Sequence, residues 1–204
     1  MHAVIFEAKP FDERFDTYLG LAKMLRPELE KVDGFLENRR FRSRRRPGWL
    51  LSLSTWRDED ALVRWRSHDL HHQVQHRGRQ EIFEDYHLRV GVLAAAGDGG
   101  SLTVLEIPQP EGTAKDAAPE SLAARLELPT GAAELVEWDL FEALLEPGRM
   151  LVLATWKDAA ASAAWQPRTL PEGSHRQEVE ILRDYGMFLR DQAPQQHAPA
   201  PRRA

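Results

Sequence analysis

Four histidines, His68, His71, His72 and His76, fall within nine residues, with Trp65 just before them and Arg77 just after. Histidine titrates near neutrality, so it is the natural base or acid at pH 7. Tryptophan supplies a broad flat wall with one indole donor. Glu7, in the short apolar run from Ala3 to Ala8, adds a carboxylate able to orient a histidine or accept a proton. Trp65, His72, His76, Arg77 and Glu7 are therefore the candidate catalytic residues, suited to taking a proton from a small molecule and stabilising the anion that forms. Each has a plainer rival reading. Trp56 and Trp65 also suit core packing, His68 and His71 suit surface or capping roles, and a histidine-rich exposed helix would account for the whole cluster. A dedicated metal site is not expected, because Asp69 is the one nearby carboxylate and Gln73 and Gln75 are poor ligands.

These residues sit in a stretch that occurs twice. Seven of the sixteen positions from 50 to 65 recur at an offset of 100, namely Leu51, Leu53, Thr55, Trp56, Asp58, Ala61 and Trp65; unrelated sequences would share roughly one. Pro47-Gly48 recurs as Pro147-Gly148, His76-Arg77 as His175-Arg176, Asp85-Tyr86 as Asp184-Tyr185, and Glu7 as Glu106. A period of a domain's length implies one small domain present twice. The expected division is 1–95 for the first copy, 96–100 for a Gly-rich linker, 101–191 for a degenerate second copy, and 192–204 for a proline-rich disordered tail.

Composition bounds the rest. The chain has 204 residues, 42% hydrophobic and 29% charged, with a net charge of -5. That argues against a general nucleic-acid surface, although Arg39, Arg40, Arg42, Arg44, Arg45 and Arg46 form a local basic run. The run reads as a solvated hairpin edge protected from further pairing, with an anion or acidic-substrate role as the alternative. Zero cysteines exclude disulfides, thiolate chemistry and Cys-based metal centres. No apolar run is long enough to span a membrane and no leader is evident, so the expectation is a soluble cytoplasmic protein. There is no Gly-x-Gly-x-x-Gly, and Gly97-Asp98-Gly99-Gly100 lacks the setting of a phosphate loop.

Periodicity places the candidates. Ala3 to Ala8 reads as a strand, and Phe15, Leu19, Ala22, Leu25, Leu29 and Val32 mark one face of a helix ended by Asp33-Gly34. Phe35 to Ser43 and Leu50 to Trp56 form a hairpin through Pro47-Gly48. Asp58 caps a helix carrying Trp65, a second helical piece from Asp69 to Arg79 carries the histidines, and Ile82 to Leu93 is a closing strand. The second copy repeats this order from Ser101, with a shorter helix near Ala114 to Leu126, a hairpin from Glu134 to Trp156, helices interrupted at Pro167 and Pro171, and a closing strand from Ile181 to Leu189. Strand-helix-strand-strand-helix-strand is the ferredoxin-like split pattern, an α+β fold with an antiparallel sheet.

The first copy resembles the antibiotic biosynthesis monooxygenase family through Ala3-Val4-Ile5-Phe6-Glu7, Leu25-Arg26-Pro27-Glu28-Leu29-Glu30, Gly34-Phe35, the run from Leu51 to Glu59, Trp65-Arg66-Ser67-His68, and Gly78-Arg79 through Phe83-Glu84-Asp85-Tyr86. The resemblance implies a dimeric α/β barrel, here formed within one chain from two ferredoxin-like units, with a further homodimer left open. It implies oxygenation of an electron-rich aromatic, a phenol, quinol or anthrone, by O₂ with no cofactor. Trp56, Phe35 and Phe83 would then join the catalytic set as substrate-binding residues.

Two alternatives stand beside this. Heme-degrading monooxygenases of the same fold pair a helix tryptophan with a later proximal histidine, and His175 stands ten residues after Trp165, as His76 stands eleven after Trp65. His76 and His175 are thus possible heme ligands, though the strand asparagine of those enzymes is replaced here by Glu7 and Glu106. The third reading is a module that binds a small ligand without turnover. The second copy lacks equivalents of His68, His71 and His72, which points to the first as the active one.

Overall fold

The computed structural model of the chain describes residues 1–94, 100–109, 117–195, 197 and 199–201. Residues 96–99 of the expected linker, 114–116 of the expected second-copy helix, and positions 196, 198 and 202–204 of the tail lie outside the described residues.

β1 (His2–Pro10) alternates strictly at its start: Ala3, Ile5 and Glu7 are buried on one face, and Val4 and Phe6 turn to the other. A 3-10 turn (Asp12–Arg14) leads into α1 (Phe15–Glu30), which buries Tyr18, Ala22 and Leu29 at helical spacing. Gly34 reverses the chain at φ +89°, where a side chain would meet the Ala61 Cβ at 2.7 Å, so glycine is required on both counts. β2 (Phe35–Ser43) and β3 (Leu50–Trp56) follow, joined through Gly48 at φ 81°. α2 (Glu59–Arg66) starts on Asp58, whose carboxylate accepts the Ala61 N–H at 2.8 Å, the cap anticipated from the sequence. α3 (Asp69–Arg77) runs into one π-helical turn (Gly78–Ile82) and then β4 (Phe83–Leu93).

The second copy comprises β5 (Leu102–Pro108), α4 (Pro119–Arg125), β6 (Leu135–Ala143), β7 (Arg149–Trp156), α5 (Ala159–Ala164) and β8 (His175–Gly186). The Asp158 cap on Ala161 and the turn at Gly148 repeat those of the first copy. Among the described residues nothing takes the place of α3. The closing strand also begins earlier than expected, at His175 and not Ile181, and ends at Gly186. Pro167 and Pro171 deny the segment a helix, and after Gly173 (φ 79°) the chain pairs directly with β5, His175 opposite Glu106 and Val179 opposite Leu102.

Hydrogen bonding orders the eight strands β1-β3-β2-β6-β7-β5-β8-β4 and closes the order on itself, an antiparallel α+β barrel topology. By compactness the chain forms two units. Unit 1 holds residues 1–39, 48–90 and 182–204, and unit 2 holds 40–47 and 91–181. A core cluster of unit 2 includes Leu105, Ile107, Leu122, Met150, Trp156 and Trp165. Unit 2 also contains the arginine-rich end of β2, and here the expectation of an unpaired edge fails. Phe41, Arg42 and Ser43 pair with Ala143, Glu142 and Phe141 of β6. Arg46 binds the buried Asp139 at 2.7 Å, Arg45 lies 3.3 Å from Glu120, and Arg44 lies 3.8 Å from Glu142. Periodicity within β2 could not reveal carboxylates some 90 residues away. No helix among the described residues is long and apolar enough to cross a membrane.

Candidate active site

The candidate residues of unit 1 fall on opposite faces of its strands. On the helix-covered face, Val4, Phe35, Trp56, Trp65, Leu88 and Val90 share one cluster with Leu29, Ala61 and Leu62. Phe35 meets Trp56 edge-on at 5.3 Å, and the Trp56 indole donates to Ser54 Oγ at 2.9 Å. Trp56 is fully buried, whereas Trp65 is half-buried on the last turn of α2. His71 covers one face of the Trp65 ring, stacked at 4.2 Å and 13°, with its Nδ1 2.9 Å from the Trp65 carbonyl oxygen. That bond makes the neutral ring a donor at Nδ1.

Burial pushes the His71 pKa down from 6.5 to about 4. A folded-state pKa below the unfolded one means stability is fully present above about pH 6.5 and is lost as pH falls toward 4. Acidification from pH 7.5 to 5 should therefore cost about 2 kcal/mol through this group. His71→Phe, which keeps the stack and removes the titration, should flatten that part of the urea-denaturation stability profile; an unchanged slope would contradict the assignment.

Further along the same face lies a second aromatic group. Phe6 meets Phe83 edge-on at 5.6 Å and Tyr86 at 5.5 Å, and Tyr18 of α1 closes on Phe83 at 5.7 Å. Ala8, Met187 and Ala200 pack around them. The Tyr86 hydroxyl accepts from Arg79 Nη1 at 2.5 Å and from Arg190 Nη1 at 2.7 Å.

The other candidates stand apart from these groups. His72, His76 and Arg77 are exposed on α3, His72 stacked on His197 at 5.4 Å and Arg77 paired with Glu81 at 3.0 Å. Glu7 projects from the opposite face of β1 to Phe6 and is 3% exposed. It is bound by the equally buried Arg89, and His87 Nδ1 lies 4.0 Å from it. The His87 Nε2 in turn meets Asp184 at 2.5 Å. The histidine that faces Glu7 is thus His87 of β4, not one of the α3 cluster. His87 and Arg89 were absent from the sequence candidates; the signal available was their shared parity along a strand, which puts both on one face. Tyr86, Arg79 and Arg190 were missed as a group because Arg190 joins them from 104 residues away.

In unit 2 the corresponding space is filled. Trp165 is 4% exposed, donates its indole N–H to the Leu126 carbonyl at 2.9 Å, and lies under the Arg176 guanidinium at 5.0 Å. Glu178 accepts from Thr103 at 2.8 Å, Ser162 at 2.5 Å and Arg176 at 2.6 Å, a closed polar network. His175 is exposed at the start of β8. Among the described residues no group of three His, Asp or Glu is arranged to hold a metal ion.

Residues 1–77 match the model of a family described as antibiotic biosynthesis monooxygenase. A relative from Pyricularia oryzae, named jasmonate monooxygenase ABM, is 42% identical over 223 residues, covering 98% of this chain and 100% of that protein. The chain belongs to the antibiotic biosynthesis monooxygenase family. As a member of that family it is a monooxygenase, and the family match falls on the copy whose Trp65 is half-buried and not sealed. Among solved structures, an aldoxime dehydratase bound to butyraldoxime is 9% identical over 88% of this chain and 79% of that one, with a TM-score of 0.57, a likeness of fold alone. An anthrone oxidase-like protein is 12% identical over 95% of this chain and 96% of that one, with a TM-score of 0.34.

Proposed function

We propose that this antibiotic biosynthesis monooxygenase family member uses O₂ to oxidise a small carboxylic acid of the jasmonate kind, at the helix-covered face of unit 1. The observation that carries the reading is the 42% identity to a jasmonate monooxygenase over the length of both chains. The geometry supports the first copy as the active one. Its Trp65 is half-buried in the cluster that holds Phe35 and Trp56, and Phe83 and Tyr86 lie in a second cluster that shares Leu88 with it, while the second copy fills the matching region with Trp165 and the Glu178 network. His72 and His76 stand exposed on α3, the helix whose His71 stacks on Trp65, and are assigned as the proton acceptors of this proposal, with Arg77 beside them. Glu7, on the other face with Arg89, is assigned to holding the sheet together and not to the reacting atoms.

One oxygen atom of O₂ enters the substrate and the other leaves as water. Hydroxylation of an unactivated carbon takes two electrons and two protons from an external reductant. The second reading is oxygenation of an electron-rich aromatic without a cofactor, in which a phenol, quinol or anthrone supplies the electrons itself. The aromatic group of Phe6, Tyr18, Phe83 and Tyr86 favours it as a stacking surface. A heme ligand would be a buried imidazole above an apolar slot, and the exposed His76 and His175 do not fit that description.

The test is O₂ uptake and product mass with jasmonate or an anthrone, each with and without a reduced nicotinamide or flavin donor. A product heavier by one oxygen from jasmonate, dependent on the donor, supports the first reading, and donor-independent oxidation of the anthrone supports the second. No uptake with either would leave a ligand-binding module. Added hemin should produce no sharp Soret band; a band lost in His76→Ala or His175→Ala would instead establish heme binding.

A further inference from the structure

We propose that Arg79 and Arg190, converging on the Tyr86 hydroxyl, form a subsite that binds the carboxylate of a small organic acid, with the Phe6, Tyr18 and Phe83 rings beside it taking the apolar body. This deepens the reading above and rests on its acidic substrate class.

Charge accounting in unit 1 carries the argument. Arg79 is 3% exposed, and among the described residues its guanidinium donates only to neutral oxygens, Tyr86 Oη at 2.5 Å and the Met187 carbonyl at 3.1 Å. Its buried Nε has no hydrogen-bond partner among the described residues. Arg190 likewise donates to Tyr86 Oη at 2.7 Å and to the carbonyls of Gln195 at 2.9 Å and Gly186 at 3.5 Å. Among the described residues neither guanidinium has a carboxylate within ion-pair distance. Of the acidic residues close in sequence, Glu81 binds Arg77, Glu84 binds Lys9, Asp85 accepts the Tyr86 N–H and Asp184 meets His87, while Asp191, next to Arg190, is exposed. Other arginines of the same unit have carboxylates, Arg89 with Glu7, Arg57 with Asp33 and Arg183 with Glu59.

Two guanidiniums gathered on one phenol, one of them desolvated, are unfavourable without an anion. The planar fork of arginine fits a carboxylate in paired hydrogen bonds. The uncompensated charge is felt nearby, since burial together with Arg190 and Arg79 pushes the His197 imidazole down to about 4. The C-terminal segment borders this group: Arg190 is half-buried and donates to the Gln195 carbonyl, and Ala200 packs on the ring cluster. The first copy alone has this arrangement, because the repeat places Glu178 where Arg79 stands.

The experiment uses the full chain and measures dissociation constants by calorimetry for two matched pairs, jasmonate with its methyl ester and 3-phenylpropionate with its amide. The acids should bind about 10- to 100-fold more tightly than the uncharged partners. Arg190→Gln, at a half-buried position, should collapse that ratio to below about threefold while leaving ester and amide binding unchanged, and Arg190→Lys should restore part of it. Arg79→Gln should act alike where circular dichroism confirms that it folds. Equal binding of acid and uncharged partner in the unmodified chain, or an equal loss of both in Arg190→Gln, overturns the subsite, as does failure of both acids to bind. If phenylpropionate is held through Arg190 and jasmonate is not, the subsite stands and the jasmonate reading falls. If jasmonate is oxidised with no preference for acid over ester, the reverse holds.

Discussion

Exchanging Arg89 for methionine is expected to remove about 3–5 kcal/mol of folding stability, measured by urea denaturation of the full chain. Arg89 is 2% exposed and binds Glu7, itself 3% exposed, across 82 residues of sequence. Removing the guanidinium takes away the cation that binds this interior carboxylate, which the half-buried His87 approaches at 4.0 Å. The cost is the uncompensated ion and not the intrinsic strength of the pair. The double variant Glu7→Gln with Arg89→Met should accordingly recover most of the loss, to within about 2 kcal/mol of the parent. A loss below about 1 kcal/mol in the single variant would show that water or a rearranged partner reaches Glu7.

The two related tryptophans should separate function from packing. Trp65→Ala is expected to lower turnover about 100-fold, because the half-buried indole fixes the stacked His71 and the wall of the proposed site. Trp165→Ala, at a site 4% exposed and bonded to Leu126, should instead cost about 3–5 kcal/mol of stability. Turnover per folded molecule should stay within about twofold of the parent. Initial rates normalised to the folded fraction decide the matter, and equal losses from both variants would mean that both copies contribute to catalysis.

Local pattern made much of the architecture readable. The Asp58 cap, the Pro47-Gly48 turn and its repeat, the reversal at Gly34 and the order of elements in both copies all follow from signals a few residues long. The early start of β8 did not, because a stretch broken by proline is neither helix nor strand until β5 offers it hydrogen-bond partners. The fate of the arginine run was equally hidden: its strand looked like an edge until β6 supplied Asp139 and Glu142.

Within the site, residue types were legible and groupings were not. Trp65, Phe35 and Trp56 were named together and do share a cluster, since helix and strand periods point them to one side. Glu7 was grouped with the α3 histidines, but strand alternation sets it on the other face, toward His87 and Arg89. By itself the sequence determined the duplication, the order of most elements and the family to which these residues belong, because those depend on short-range geometry and composition. Tertiary structure alone decided which charged groups meet, Glu7 with Arg89 and Arg79 with Arg190 about Tyr86, because such pairs form between strands and segments 82 and 111 residues apart whose meeting no local period encodes.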